Sequence, residues 1–217
     1  MSSTEDYVHL HVHSDFSLID GACKAEDLAK AAKKNGQVAV ALTDHGSVSG
    51  AIDFWKACDK QGVKPILGVE AYLAPGLDEG AHKRRGKDED GKDRVDAKTG
   101  KKRSFDYDHF TLIAKNLKGW QNLQKLSTLA SLEGFYYRPR MSWDLLSKHH
   151  EGLIALSGCL SGQLSNSLKV GKDEEAEAHA CRWKELFGPD YYIELQPVIE
   201  GDTDLYRELA VDQGRIN

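Results

Sequence analysis

The chain has 217 residues, a formal net charge of -5 and 40% hydrophobic residues. That length holds one large α/β domain or two small ones, and the mild acidity excludes nucleic-acid binding driven by the global field, leaving only local basic patches. No apolar run reaches the length of a membrane span, the first residues lack the regions of a signal peptide, and the four cysteines form no C-x-x-C pair; a reducing, cytoplasmic setting is the expectation.

Taken in order, the chain first presents His9-Leu10-His11-Val12-His13, followed by a turn-like segment that ends in Asp20-Gly21. In an extended strand His9, His11 and His13 share a face, where two neighbouring imidazoles can grip one metal ion and Asp20 adds an oxygen donor. Lys24 to Lys34 has acids early, lysines late and apolar residues at helical spacing, and Gly36 stops it. Gln37 to Thr43 is a continuous apolar run of strand length that delivers Asp44-His45-Gly46 at its C-terminal end. A second helix spans Ser49 to Gln61, with Ile52, Phe54, Trp55 and Ala57 as its apolar residues.

Lys64 to Leu73 reads as the next strand, and Glu70 interrupts its apolar run. A carboxylate in that setting carries a large desolvation cost unless it is paired or metal-bound. From Pro75 to Asp106 the composition turns to Gly, Lys, Arg, Asp and Glu without apolar period, the pattern of a charged insertion loop; its Lys83-Arg84-Arg85 and Lys101-Lys102-Arg103 clusters are diluted by acids. Asp108 to Ala114 is a strand that begins beside His109, Gly119 to Ser131 a helix, and Phe135 to Arg140 an aromatic and basic loop able to stack bases or to pack the domain.

Ser142 to Lys148 reads as a short helix with an N-cap serine, and Gly152 to Ser157 as a buried strand that ends just before Cys159. Asp173 to Phe187 is a helix with an acidic first turn, Tyr191 to Gln196 a strand, and Thr203 to Asp212 the start of a last helix. Strand and helix alternate about six times, which implies a layered fold or barrel of parallel strands with its chemistry at their C-terminal ends. His11, His13, His45, Glu70 and Cys159 obey that rule; His109 fits it less well, because its strand begins there.

Together His11, His13, Asp20, His45, Glu70, His109 and Cys159 offer nitrogen, oxygen and sulfur donors for about two or three divalent ions, with zinc or manganese favoured and iron compatible. Such a cluster is suited to hydrolysis of a phosphoester. A covalent mechanism on Cys159 would need a histidine partner without a competing metal.

The phrases HLHVHSDFSLIDGA, ALTDHGSVSGAIDFW, GVKPILGVEAYLAP, HFTLIAKNLKGWQNLQKLSTLAS and EGLIALSGCLSG resemble the N-terminal PHP (polymerase and histidinol phosphatase) domain of the alpha subunit of bacterial replicative DNA polymerase III. The resemblance covers nearly the whole chain, residues 1–217, and implies a distorted (β/α)7 barrel of TIM type. It implies that His11, His13 and Glu70 hold one ion, that Glu70 bridges to a second held by His109 and Cys159, and that Asp20 and His45 serve a third, with His9 structural. It further implies metal-dependent 3′ to 5′ exonuclease chemistry on DNA in members that keep their ligands. Members that have lost them act as a scaffold for a separate proofreading exonuclease subunit; stand-alone relatives are small-molecule phosphatases. The remaining polymerase domains and replisome components are the other partners it implies, and no membrane. The family's closing Asp-x-His motif has no counterpart before Asn217, so the expectation is a fragment of a longer polymerase that lacks the barrel's C-terminal closing elements.

Overall fold

The computed structural model describes residues 7–74 and 107–196. The expected insertion at 75–106 and last helix at 203–212 lie outside those residues. The described chain runs α1 (Ala25–Lys34), β1 (Ala39–Leu42), α2 (Ala51–Gln61), β2 (Lys64–Ala74), β3 (Asp108–Ala114), α3 (Leu117–Leu132), β4 (Phe135–Tyr136), β5 (Arg138–Ser142), α4 (Trp143–Lys148), β6 (Leu153–Leu156), α5 (Gln163–Leu168), α6 (Asp173–Phe187) and β7 (Tyr191–Tyr192).

Strand β2 is the spine of the sheet because its eleven residues outreach every neighbour. Along one edge its first half pairs in parallel with β1 and its last residues pair in parallel with β5, while β3 runs antiparallel along the other edge. The sheet continues through β6, antiparallel to β3, to β7, parallel to β6. The sheet is therefore mixed, and the expectation of all-parallel strands is corrected. Reversal of β3 has a direct consequence for the site: its first residues lie beside the last residues of β2, with Tyr72 opposite His109.

Alternation along these strands separates two faces. Val69, Ala71, Leu73, Phe110 and Leu112 point into a core with Leu123, Leu126, Met141, Leu153 and Trp183. A smaller core joins Val40 and Leu42 to Ala29, Ala32, Phe54 and Cys58 of the first two helices. Of the apolar residues of α2, Phe54 and Ala57 are buried, whereas Ile52 and Trp55 are 56% and 48% exposed. The opposite face of the sheet carries Glu70, Tyr72, His109 and Thr111.

Other boundaries follow local chemistry. The Ser142 side chain accepts from Leu145 N and caps α4 as its sequence implies. Phe135 to Arg140, read as a loop, forms a tight β4–β5 hairpin. The Tyr191 to Gln196 strand is regular only over Tyr191–Tyr192, and the short helix α5 has no strong sequence signal. The segment from His9 to Val12 forms no regular strand, yet it tracks β1 through bonds from Ala41 N to His9 O and from Thr43 N to Val12 O.

Helix α3 starts against the turn before β6. Asn116 caps it by accepting from Gly119 N, and a Cβ on Gly119 would lie 1.8 Å from Gly152 O. Only glycine permits that approach, since the obstacle is backbone. Gly119→Ala is expected to cost about 2 kcal/mol or more in urea denaturation; an unchanged midpoint would contradict this packing.

Candidate metal centre

The DHG turn after β1 brings the first elements of the site together. Glu70 N donates to Thr43 O and Asp44 O, and Gly46 N donates to Glu70 O, so the turn is locked to the middle of β2. Gly46 has φ +65, and a Cβ there would come within 2.6 Å of Pro139 Cγ. Asp44, only 1% exposed, faces the N-terminal loop. Its carboxylate accepts from Ser14 N at 2.6 Å, Ser14 Oγ at 2.8 Å and Ser17 Oγ at 2.8 Å. Ser17 Oγ in turn accepts from His45 N at 3.0 Å. Asp44 thus fixes the loop that carries His13 at one end and Asp20 at the other.

Glu70, 2% exposed, is the hub of the cluster. Its Oε2 lies 2.7 Å from His13 Nε2, 3.0 Å from His11 Nε2 and 3.4 Å from His45 Nδ1. Its Oε1 lies 2.6 Å from His109 Nδ1 and 3.4 Å from Cys159 Sγ. At the rim Asp20 Oδ2 sits 3.1 Å from His13 Nδ1 and 3.0 Å from His45 Nε2, with the Asp20 side chain 44% exposed. Three sets of donor atoms lie within 4.8 Å of one another: His11, His13 and Glu70; His13, Asp20 and His45; His45, Glu70 and His109. All seven residues singled out in the sequence converge here. His9 does not; its ring is exposed and packs edge-on against Tyr7 at 4.8 Å.

The misfit of His109 disappears with the strand direction. Because β3 is antiparallel, its beginning lies where the parallel strands end, and His109 meets Glu70 there. Cys159 follows β6, and its sulfur accepts from Ser161 N at 3.4 Å.

One residue of the site was not read from the sequence. Glu194 Oε1 accepts from His11 Nδ1 at 2.6 Å, and Glu194 N donates to Ser157 Oγ at 2.9 Å. This arrangement turns His11 Nε2 toward Glu70, the way a carboxylate orients a metal-ligating histidine. The available signal was an acid following the apolar Tyr191-Tyr192-Ile193, the same kind of interruption that marks Glu70.

Hydrogen bonds account for only part of the packing. His13 Nε2 and His45 Nδ1 are buried without a hydrogen-bond partner, although both lie within 3.4 Å of Glu70 Oε2. Two buried imidazole nitrogens left without a hydrogen bond beside one carboxylate oxygen suit a shared cation, so the nitrogen, oxygen and sulfur donors present here fit a divalent metal site.

The charges agree. Burial disfavours the ionised Glu70, but the close approach of the His109, His11 and His13 rings outweighs it and holds the carboxyl well below the usual range. Burial likewise opposes protonation of His11, and Glu194 and Glu70 override it, raising the ring to about 10. His13 is raised by Glu70 against its burial, whereas burial prevails at His45 and lowers it. Burial, with Glu70 beside it, pushes the Cys159 thiol up to about 12.

The profile of the PHP domain family matches residues 9–197. The chain belongs to the PHP domain family. It is 46% identical over 191 residues to the DNA polymerase III subunit alpha of Treponema pallidum, covering 88% of this chain and 15% of that protein. It is 43% identical over 197 residues to that of Aquifex aeolicus, covering 89% of this chain and 16% of the relative. The chain therefore spans only a small part of the length of these relatives. Among solved structures, one from Bifidobacterium adolescentis, described as a metal-dependent phosphoesterase, aligns over 95% of this chain and 64% of its own at 16% identity and a TM-score of 0.35. That likeness is too slight to bear on function. No described helix is long and apolar enough to cross a membrane.

Two outcomes follow for this PHP domain. Asp44→Ala strands the Ser14 amide and two hydroxyls, and should cost about 2 to 4 kcal/mol in chemical denaturation and lower metal occupancy through release of the loop. The second concerns pH in the presence of EDTA. His11 rises from 6.5 to about 10 on folding, so its stabilisation is complete below pH 6.5 and lost as the pH climbs through about 10. Glu70 falls from 4.5, so its share is complete above pH 4.5 and lost as the pH drops toward the folded value. The metal-free Tm should peak between about pH 4.5 and 6.5 and decline on the alkaline side; a Tm that climbs steadily above that window would contradict the ion pairs.

Proposed function

We propose that this chain is the PHP domain of a bacterial replicative DNA polymerase III alpha subunit and that its cluster hydrolyses phosphodiester bonds at the 3′ end of DNA. The observation that carries the reading is the convergence on Glu70, where buried His13 Nε2 and His45 Nδ1 face the carboxylate without bonding to it. Kinship to the polymerase subunits supports the choice of DNA over a small phosphate ester. The partners this implies are a DNA 3′ end, the other domains of the polymerase and a replisome that includes a proofreading exonuclease subunit.

His11, His13 and Glu70 are the donors for one ion, Glu70, His109 and Cys159 for a second, and Asp20 with His45 for a third. Imidazole, carboxylate and thiol together favour zinc or manganese, with iron also compatible. The chemistry that such ions supply is Lewis-acid polarisation of a phosphate and activation of water. The two Glu70 oxygens face different donors, so this carboxylate spans two positions while its burial excludes bulk water. Asp20, at the exposed rim, is the ligand a substrate meets first. In the metal-free chain burial and Glu70 push the Cys159 thiol up to about 12, which disfavours a covalent cysteine mechanism; a bound ion would instead take it as thiolate.

The test combines metal content with turnover. Elemental analysis of the purified chain should find about two or more equivalents of divalent metal, and the loaded protein should shorten a 5′-labelled single strand. Glu70→Gln should lose more than one equivalent and about a hundredfold or more of the hydrolysis. Full metal content in that variant would overturn the assignment.

A further inference from the structure

The β4–β5 hairpin is not part of the metal cluster, yet the fold fastens it to the cluster through two side chains. Pro139 packs on Gly46, the neighbour of His45. The Arg138 guanidinium lies 5.8 Å from the Tyr72 ring centroid. Tyr72 in turn stacks on the His45 ring at 5.7 Å with the planes 5° apart. Cross-strand pairing sets Arg140 opposite Tyr72 and Tyr72 opposite His109, so the hairpin continues the same sheet face that carries the donors. Arg140, 1% exposed, braces it from within by donating to Gly134 O and lying over the Tyr136 ring at 5.3 Å.

At the hairpin's tip stands Tyr137, the one described non-glycine residue with positive φ, at 58°. That region disfavours a residue with a Cβ, and Gly, Asn or Asp is the usual occupant. Here the position holds an aromatic ring that is 67% exposed. Glycine would relax the backbone there, and the strained turn instead holds the ring at the hairpin's tip, edge-on to Tyr136 at 4.7 Å.

We propose that this hairpin is the strand-binding subsite of the centre, with Arg138 holding a phosphodiester of single-stranded DNA next to the bond at the cluster and Tyr137 stacking on a base. The inference rests on the phosphoesterase reading and deepens it by naming where the extended strand is held and by which residues. The cluster itself carries Asp20, Glu70 and Glu194, and the whole chain is acidic at -5. A polyanion therefore needs a local cation with bidentate reach, which a guanidinium supplies. A single strand leaves its bases open to an aromatic tip, which a duplex does not.

The experiment measures fluorescence anisotropy of a short fluorescein-labelled oligothymidylate with phosphorothioate linkages, mixed with the manganese-loaded chain. Arg138→Ala should weaken binding about tenfold and flatten the slope of log affinity against log salt by about 0.7, the share of one phosphate contact. Arg138→Lys should recover part of both. Tyr137→Gly should weaken binding about tenfold while its Tm holds or rises, because glycine relaxes the backbone there. A ring with only a structural role would give the reverse, a lower Tm with unchanged binding, and that result overturns the proposal. Parent-like binding in both the arginine and the tyrosine variants overturns it as well. Hydrolysis of bis(p-nitrophenyl) phosphate by the parent chain reads the cluster separately. Hydrolysis with unaltered strand binding in the variants removes the subsite alone; no hydrolysis with weakened binding upholds the subsite and removes the phosphoesterase reading.

Discussion

A carboxylate buried in the middle of a strand is the constraint on which the rest of this structure depends. Glu70, at 2% exposure, cannot be ionised there without compensation, and an unpaired buried charge is too costly for a domain of this size to carry. Compensation comes from imidazoles that arrive from three separate places: the N-terminal segment, the turn after β1 and the start of β3. Each arrival needs its own support. Backbone bonds hold the DHG turn to Glu70, Asp44 holds the N-terminal loop, and the reversed β3 carries His109 into reach. The apolar cores on the other face of the sheet hold these strands in register.

That division of labour explains why some of the site was legible in the sequence and some was not. Glu70 stood out because period and composition make β2 a buried strand, and an acid inside one demands a reason. His45 was legible because it follows an apolar run, where layered α/β folds keep their chemistry. His109 seemed misplaced only because the alternation of strand and helix suggested parallel pairing. Strand direction is decided by long-range contacts, and no local residue between Tyr107 and Ala114 encodes it. The sequence of residues 75–106, between β2 and β3, lacks the apolar period of the helical crossover that usually joins parallel neighbours.

Glu194 escaped for a different reason. The regular part of β7 is two residues long, too short for alternation to establish which face its continuation presents. The carboxylate was therefore indistinguishable from any polar residue near a strand end, and only the tertiary distance to His11 reveals its role. The β4–β5 hairpin escaped because its aromatics and arginines suit a loop as well as a strand, and because a turn with positive φ is ordinarily marked by Gly or Asn, not by Tyr.

The supports also divide the cluster into a rigid and an adjustable part. Glu70, His109 and Cys159 are held by paired strands and by the turn just after β6, and the Glu70 side chain is almost wholly enclosed. Asp20 belongs to a loop whose outer residues Leu18 and Ile19 are 91% and 69% exposed, anchored at its base through Ser14 and Ser17. Donors set in paired strands keep their geometry before a ligand arrives, whereas a loop-borne carboxylate can shift as one binds. An ion between Glu70, His109 and Cys159 would therefore be held most firmly, and one between His13, Asp20 and His45 would be the most readily exchanged. The part of the cluster with the least rigid support is also the part that faces solvent.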